Sequence, residues 1–189
     1  MEPHSLLTRL ADSPVIASVK DQEGLTLALE SPAEVLFLLF GDLLRIAPMV
    51  EQVHRAGKAA FVHVDLIDGL APRESAVDFL AAASGSDGIL TTKPQLVRRA
   101  RQRGLTAVPP FFLLDSTALG NIQNDLAQDS PDLIEVLPGL MPKIIRKLTG
   151  ATRCPVIAGG LISDKEDVLG ALSAGAVAVS ATSPAVWQM

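Results

Sequence analysis

The sequence predicts an α/β fold, a compact (β/α)8 TIM barrel with short loops. Eight short apolar runs alternate with segments of helical period, and no shift in composition divides the chain. Most of the runs are continuously apolar, which is how strands buried on both faces of a parallel sheet read. Sharing 189 residues among eight units leaves about 24 each, where such barrels usually need roughly 250 in all. Loops and helices must therefore be short. An open doubly wound sheet is the alternative, but VKDQEG after the first run is not the GxGxxG of a dinucleotide turn.

In chain order, strands are predicted at Val15–Val19, Val35–Leu39, Ala60–Val64, Gly88–Thr91, Thr106–Phe112, Leu133–Val136, Pro155–Ala158 and Ala176–Ser180. Helices are predicted near 21–30, 42–56, 73–84, 94–103, 116–129, 140–149 and 164–174, with a short one after Ser183. Asp21, Asp42, Ser116 and Asp164 stand at N-cap positions, and Gly57, Gly104, Gly150 and Gly175 where helices should stop. Pro94 and Pro142 fall in first turns, where a missing N–H does no harm. Residues 1–189 thus read as one domain, with residues 1–13 as an N-terminal extension dispensable to the barrel.

Composition narrows the function classes. The start of the chain has polar and acidic residues and no cleavage pattern, so no signal peptide is expected. VLFLLF at 35–40 is far shorter than the roughly 20 residues of a membrane span, so a cytoplasmic protein with no membrane partner is expected. The lone cysteine, Cys154, excludes an internal disulfide framework and a cysteine-based zinc cluster. Sixteen basic against 21 acidic residues give a net charge of −5, and seven aromatics offer little base stacking. Composition alone does not point to nucleic acid.

In a barrel of this kind the site lies at the C-terminal ends of the strands. There, AGG at 158–160 closes the seventh predicted strand and SATS at 180–183 the eighth. Glycine lets backbone amides approach an anion, hydroxyls add donors, and a short following helix adds its positive end. Gly159, Gly160, Ser180 and Thr182 are therefore candidates for binding a phosphate, with Lys20 and Lys93 at strand ends to neutralise it. A tight exit from the strand is the plainer explanation of the glycine pair. HVDLIDG sets His63 and Asp65 at alternate positions, so both are expected to face the mouth and, with Glu135, to bind ligand hydroxyls. One histidine and two aspartates are too common a grouping to imply a metal, and none is expected. His4 and His54 read as surface residues.

Two basic clusters lie on predicted outer helices. RRARQR supplies Arg98, Arg99, Arg101 and Arg103, and Lys143, Arg146 and Lys147 share one helical face. Such clusters are usually solvated surface, but they can also hold a phosphate backbone.

The chain resembles the glycerol uptake operon antiterminators, the glycerol-3-phosphate-responsive antiterminator family. The matching stretches are PVIASVK, FVHVDLIDGL, DGILTTKP, FFLLDS, DLIEVLPGLMPKIIRKLTG and PVIAGGLISDKEDVLGALSAGAVAVSATS, in order along nearly the whole chain. The resemblance implies a barrel that catalyses nothing. It implies glycerol 3-phosphate as effector, no cofactor, and the leader mRNA of glycerol-catabolic operons as target. There the family prevents termination at a hairpin and stabilises the transcript. Pro110, after Pro109, departs from relatives that carry Arg directly before FFLLD. A homo-oligomer is compatible with this picture. The rival reading is an isomerase or lyase acting on a small phosphorylated substrate, with Lys93, Asp65 and Glu135 as acid–base groups. A sensor acting through a protein partner is a third.

Overall fold

A computed structural model describes the backbone of residues 3–115, 117–120, 122, 126 and 131–189, with side chains from Leu6 onward. In chain order the elements are α1 Pro3–Asp12, β1 Val15–Val19, α2 Gln22–Glu30, β2 Val35–Leu38, α3 Ile46–Arg55, β3 Ala59–His63, α4 Glu74–Phe79 and β4 Gly88–Leu90. They continue with α5 Pro94–Gln102, β5 Thr106–Val108, β6 Pro110–Phe112, β7 Ile134–Leu137, α6 Pro142–Ala151, β8 Val156–Gly159, α7 Lys165–Ser173, β9 Ala178–Ala181 and α8 Pro184–Trp187. Every strand pairing is parallel, in the order β5-β4-β3-β2-β1-β9-β8-β7-β6. With helices between the strands, this is a nearly closed TIM-barrel-like fold.

The predicted fifth strand, Thr106–Phe112, is split. Pro109 and Pro110 carry no N–H, so the ladder cannot run through them. The half before Pro109, β5, pairs with β4, and the half that starts at Pro110, β6, pairs with β7. The chain itself thus bridges the two ends of the sheet. The N–H of Glu135 donates to the Pro109 carbonyl at 3.1 Å, and the Ala107 N–H donates to the Asp132 carboxylate at 3.0 Å.

Local signals place the helices with small corrections. Asp21 and Asp164 cap α2 and α7 through the N–H groups of Gly24 and Asp167, at 2.7 and 3.0 Å. Asp42 instead caps a turn, accepting from Leu44 and Arg45, and α3 starts at Ile46. Gly57, Gly104 and Gly175 follow helices in left-handed conformations, whereas Gly150 lies inside α6. Most of the helix expected at 116–129, with its cap Ser116, falls outside the described residues.

Two apolar layers make the core. The larger joins the outward faces of the strands to the helices, and α8 seals it with Trp187, whose indole N–H donates to the Ala181 carbonyl at 2.7 Å. The smaller fills the barrel itself. Phe37 and Phe61, with ring centroids 5.7 Å apart, pack there with Ile16, Leu90, Val108, Leu133 and Ile157.

The N-terminal segment belongs to this inner layer. Leu6 and Leu10 of α1 are each 1% exposed and pack with the inner residues. The same cluster holds Ile16, Val35 and Ala59, from the starts of β1, β2 and β3. α1 thus plugs the N-terminal end of the barrel, and the segment 1–13, expected to be dispensable to it, supplies two side chains of its inner layer. Truncating Leu10 to alanine opens a cavity there, and urea denaturation should show a loss of about 2–5 kcal/mol. An unchanged unfolding midpoint would contradict the plug.

Candidate functional site

With the lower end closed, the open space lies at the C-terminal ends of the strands. A cavity of about 190 Å³ is lined there by Ser18, Phe37, Leu39, His63, Leu66, Pro110, Phe112, Glu135, Leu137, Gly160, Leu161, Ser180, Ala181 and Thr182. Drug-sized ligands take roughly 300–1,000 Å³, so this cavity suits a smaller molecule.

Five of the predicted ligand residues come together in it: His63, Glu135, Gly160, Ser180 and Thr182. Gly160 has φ +73°, which only glycine adopts at little cost, and Leu161 follows at φ +63°. Two consecutive left-handed residues turn the chain sharply after β8. Leu161 is 72% exposed, and a leucine held in this region costs about 1–2 kcal/mol, the kind of local strain that clusters at ligand clamps.

Glu135 is the dominant chemical feature of the wall. Its side chain is buried among strands β6, β8 and β9, and burial pushes its pKa up to about 7. The Ser180 hydroxyl donates to Oε1 and partly opposes that rise. Gly159 makes the arrangement possible. A Cβ on it would stand 2.3 Å from Glu135 Oε1 and 2.5 Å from Ser180 Oγ. The space left by its missing side chain is therefore already filled, and Gly159 makes room for the carboxyl. His63 is neutral at ordinary pH, because burial lowers its pKa more strongly than nearby Asp65 raises it. Among the described residues, its Nδ1 has no hydrogen-bond partner.

The remaining predicted ligand residues lie elsewhere. His63 and Asp65 were expected on one face, but a 3-10 turn over Val64–Leu66 breaks the strand alternation between them. Asp65 Oδ2 instead accepts from Thr91 Oγ1 at 3.1 Å and Thr92 N at 3.0 Å, bracing the ends of β3 and β4. Lys20 and Lys93 are exposed, and neither lines the cavity. Both stand just past their strands, Lys93 at the cap position of α5. Ser18 lines the cavity and was missed, although it is the one polar residue in VIASV and shares the inward register of Ile16. Among the described residues, no group of three His, Cys, Asp or Glu could hold a metal ion, and no helix is long and apolar enough to cross a membrane.

The two basic clusters differ. On α5, Arg99 makes a two-pronged pair with Asp78 (2.9 and 2.8 Å), Arg103 lies 3.3 Å from Asp78, and Arg101 lies 3.7 Å from Asp132. Arg98 also has an interaction partner. Acidic residues thus absorb much of this helix's charge. On α6, Lys143, Arg146 and Lys147 are all exposed, and no ion pair is formed by them among the described residues. His54 is half-exposed and pairs with Asp87 at 2.8 Å, while the His4 side chain lies outside the described residues.

Comparison with known proteins places the chain in a family. The family model for glycerol-3-phosphate responsive antiterminators matches residues 15–187. The chain is 41% identical over 184 residues to YgcP, an uncharacterized protein of Escherichia coli K12, covering 97% of this chain and 96% of that one. A glycerol uptake operon antiterminator regulatory protein from Listeria monocytogenes superposes with a TM-score of 0.89 at 30% identity, over 93% of this chain and 95% of that one. A glycerol uptake operon antiterminator-related protein from Thermotoga maritima gives 0.81 at 32% identity, over 93% and 98%. Deoxyribose phosphate aldolase from Aeropyrum pernix, 13% identical with a TM-score of 0.70 over 98% of this chain and 96% of that one, shares the fold alone.

The carboxyl in the wall makes stability depend on pH. Its folded pKa of about 7 lies above the ordinary value of 4.5, so the folded state holds the proton more tightly. The resulting stabilisation is complete below the ordinary value and is lost as pH rises through the folded one. The loss is roughly 3 kcal/mol, and Glu135→Gln, which does not ionise, should escape it. Urea midpoints should therefore move in favour of the variant between about pH 5 and pH 8. Parallel pH profiles for the two proteins would contradict the assignment.

Proposed function

Because the chain belongs to the glycerol-3-phosphate responsive antiterminator family, we propose that its barrel mouth binds glycerol 3-phosphate and that occupancy governs binding to the leader mRNA of glycerol-catabolic operons. In this reading it acts in the cytoplasm, prevents termination at the leader hairpin and stabilises the transcript, without catalysis. The cavity carries the proposal, because it is small, open at the strand ends, and lined by Gly160, Ser180 and Thr182 from the ends of β8 and β9. Phosphate sites recur at those two positions of the barrel. His63 can meet a glycerol hydroxyl, and the apolar wall of Phe37, Leu39 and Leu137 can take the carbon chain.

For the RNA, α6 is the better face. Its three cations are exposed without ion pairs among the described residues, whereas the α5 arginines are largely engaged by Asp78 and Asp132. This local patch offsets the net charge of −5. A loop change at the mouth that favours RNA needs about 1–3 kcal/mol of coupling, and RNA must then tighten effector binding by the same factor.

One observation favours an enzyme as the second reading. A carboxyl titrating near 7 and a neutral histidine share one cavity, and perturbed pairs of this kind mark catalytic sites. Turnover of a small phosphorylated substrate, lost in Glu135→Gln, would favour that reading over the regulator.

Two variants test the regulator. Gly160→Asp places a carboxylate at the proposed phosphate position, and calorimetry should show glycerol 3-phosphate affinity falling at least about tenfold with the fold kept. Wild-type affinity would remove the phosphate assignment. Replacing Lys143, Arg146 and Lys147 together by alanine should weaken leader RNA binding and flatten the slope of log affinity against log salt by about 2. An unchanged slope would move the RNA to another face.

A further inference from the structure

The phosphate and carboxyl candidates share one wall. Ser180, proposed to meet the phosphate, already donates its hydroxyl proton to Glu135 Oε1. Ser180 has a single proton to give, so it cannot serve an anion as well while this bond stands. Nor does the cavity supply a compensating charge, since no lysine or arginine lines it. A phosphate beside an ionised, buried carboxylate would meet a like charge in a medium that screens poorly.

The surroundings of Glu135 offer no other remedy. Its neighbours in register on β6 and β8 are Pro110 and Ile157, and β9 contributes Ser180. Among the lining residues the one other titratable group is His63 on β3, which burial keeps neutral. Asp65, two residues further along the chain, is bonded to Thr91 and Thr92 and does not line the cavity. The carboxyl niche is nonetheless built closely, with Gly159 lacking the Cβ that would collide with Oε1. Among the described residues no donor reaches Oε2, which remains for a ligand.

From this geometry we propose that Glu135 binds the effector as a neutral acid, donating from Oε2 to a phosphate oxygen, so that glycerol 3-phosphate enters together with one proton. The proton comes from solvent and stays on the carboxyl, and no covalent bond changes. Ser180 keeps its bond to Oε1 throughout, and Thr182 and the Gly160–Leu161 turn complete the anion site. The carboxyl thereby selects for an anion able to accept a hydrogen bond, and the response to effector becomes sensitive to pH. A pKa near 7 in the free protein places that sensitivity in the physiological range.

The inference rests on the effector reading above, and one experiment separates the two. Glycerol 3-phosphate is titrated calorimetrically into the full chain, in buffers of different ionisation enthalpy, between about pH 6 and pH 9. The effector's own second ionisation lies near pH 6, so uptake is counted above about pH 7.5. The wild type should take up close to one proton per ligand there, with affinity falling about tenfold per pH unit. Glu135→Gln, whose amide donates without ionising, should bind with affinity nearly independent of pH over the same range. Wild-type binding without proton uptake overturns the inference and leaves the effector reading standing. Undiminished uptake in Glu135→Gln also overturns it, because the proton then resides on His63 or on the ligand. No binding by folded wild type at any pH overturns both. The wild-type proton count decides alone if the variant fails to fold.

Discussion

A closed parallel sheet must bury both of its faces, and in a chain of 189 residues this constraint governs everything else. The outer face is covered by helices. The inner face has no such help, and the barrel fills itself with Phe37, Phe61 and small or branched residues from most of its strands. Its lower end is stopped by Leu6 and Leu10 of a helix that precedes the first strand. What the plug leaves unfilled is the upper end, and that remainder is the cavity. Site and core are thus one packing problem, solved from below and left open above.

The same economy explains the chemistry of the mouth. Strand residues that face inward near the upper end can be polar, because the cavity rather than apolar core lies beyond them. Ser18, His63, Glu135 and Ser180 occupy such positions on four different strands. Burial without a cation makes Glu135 a weak acid and His63 a weak base. A ligand is therefore met by neutral donors and acceptors, not by a fixed opposite charge. Among TIM barrels such a mouth serves enzymes and binding proteins alike, so the fold by itself decides nothing about function.

Much of this was legible in the residues. Continuous apolar runs between helical segments were enough to place the strands to within about two residues, apart from the division of the fifth run, because two-sided burial leaves no alternation to misread. Where the reading slipped, local backbone chemistry overrode the pattern. Pro109 and Pro110 divided an apolar run that periodicity treats as single. A 3-10 turn after His63 sent Asp65 away from the face that alternation assigns it. Lys20 and Lys93 stand just past their strands, where side-chain direction no longer follows the strand. The role of α1 was not legible, because amphipathicity tells that a helix has a buried face but not which surface it covers. Gly159 was read as an anion cradle, yet its bare Cα faces a carboxyl 45 residues away from Ser180 in sequence. Only the fold brings those three residues together.

In the proposed regulator, effector in the barrel mouth controls RNA on its outer surface. The most direct test of this control is the affinity of the chain for its own glycerol-operon leader RNA, at one fixed near-physiological salt, with and without glycerol 3-phosphate. Glycerol 3-phosphate should tighten binding about five- to 150-fold, and inorganic phosphate or glycerol alone should not. Equal affinity in all conditions, or no binding in any, would contradict it.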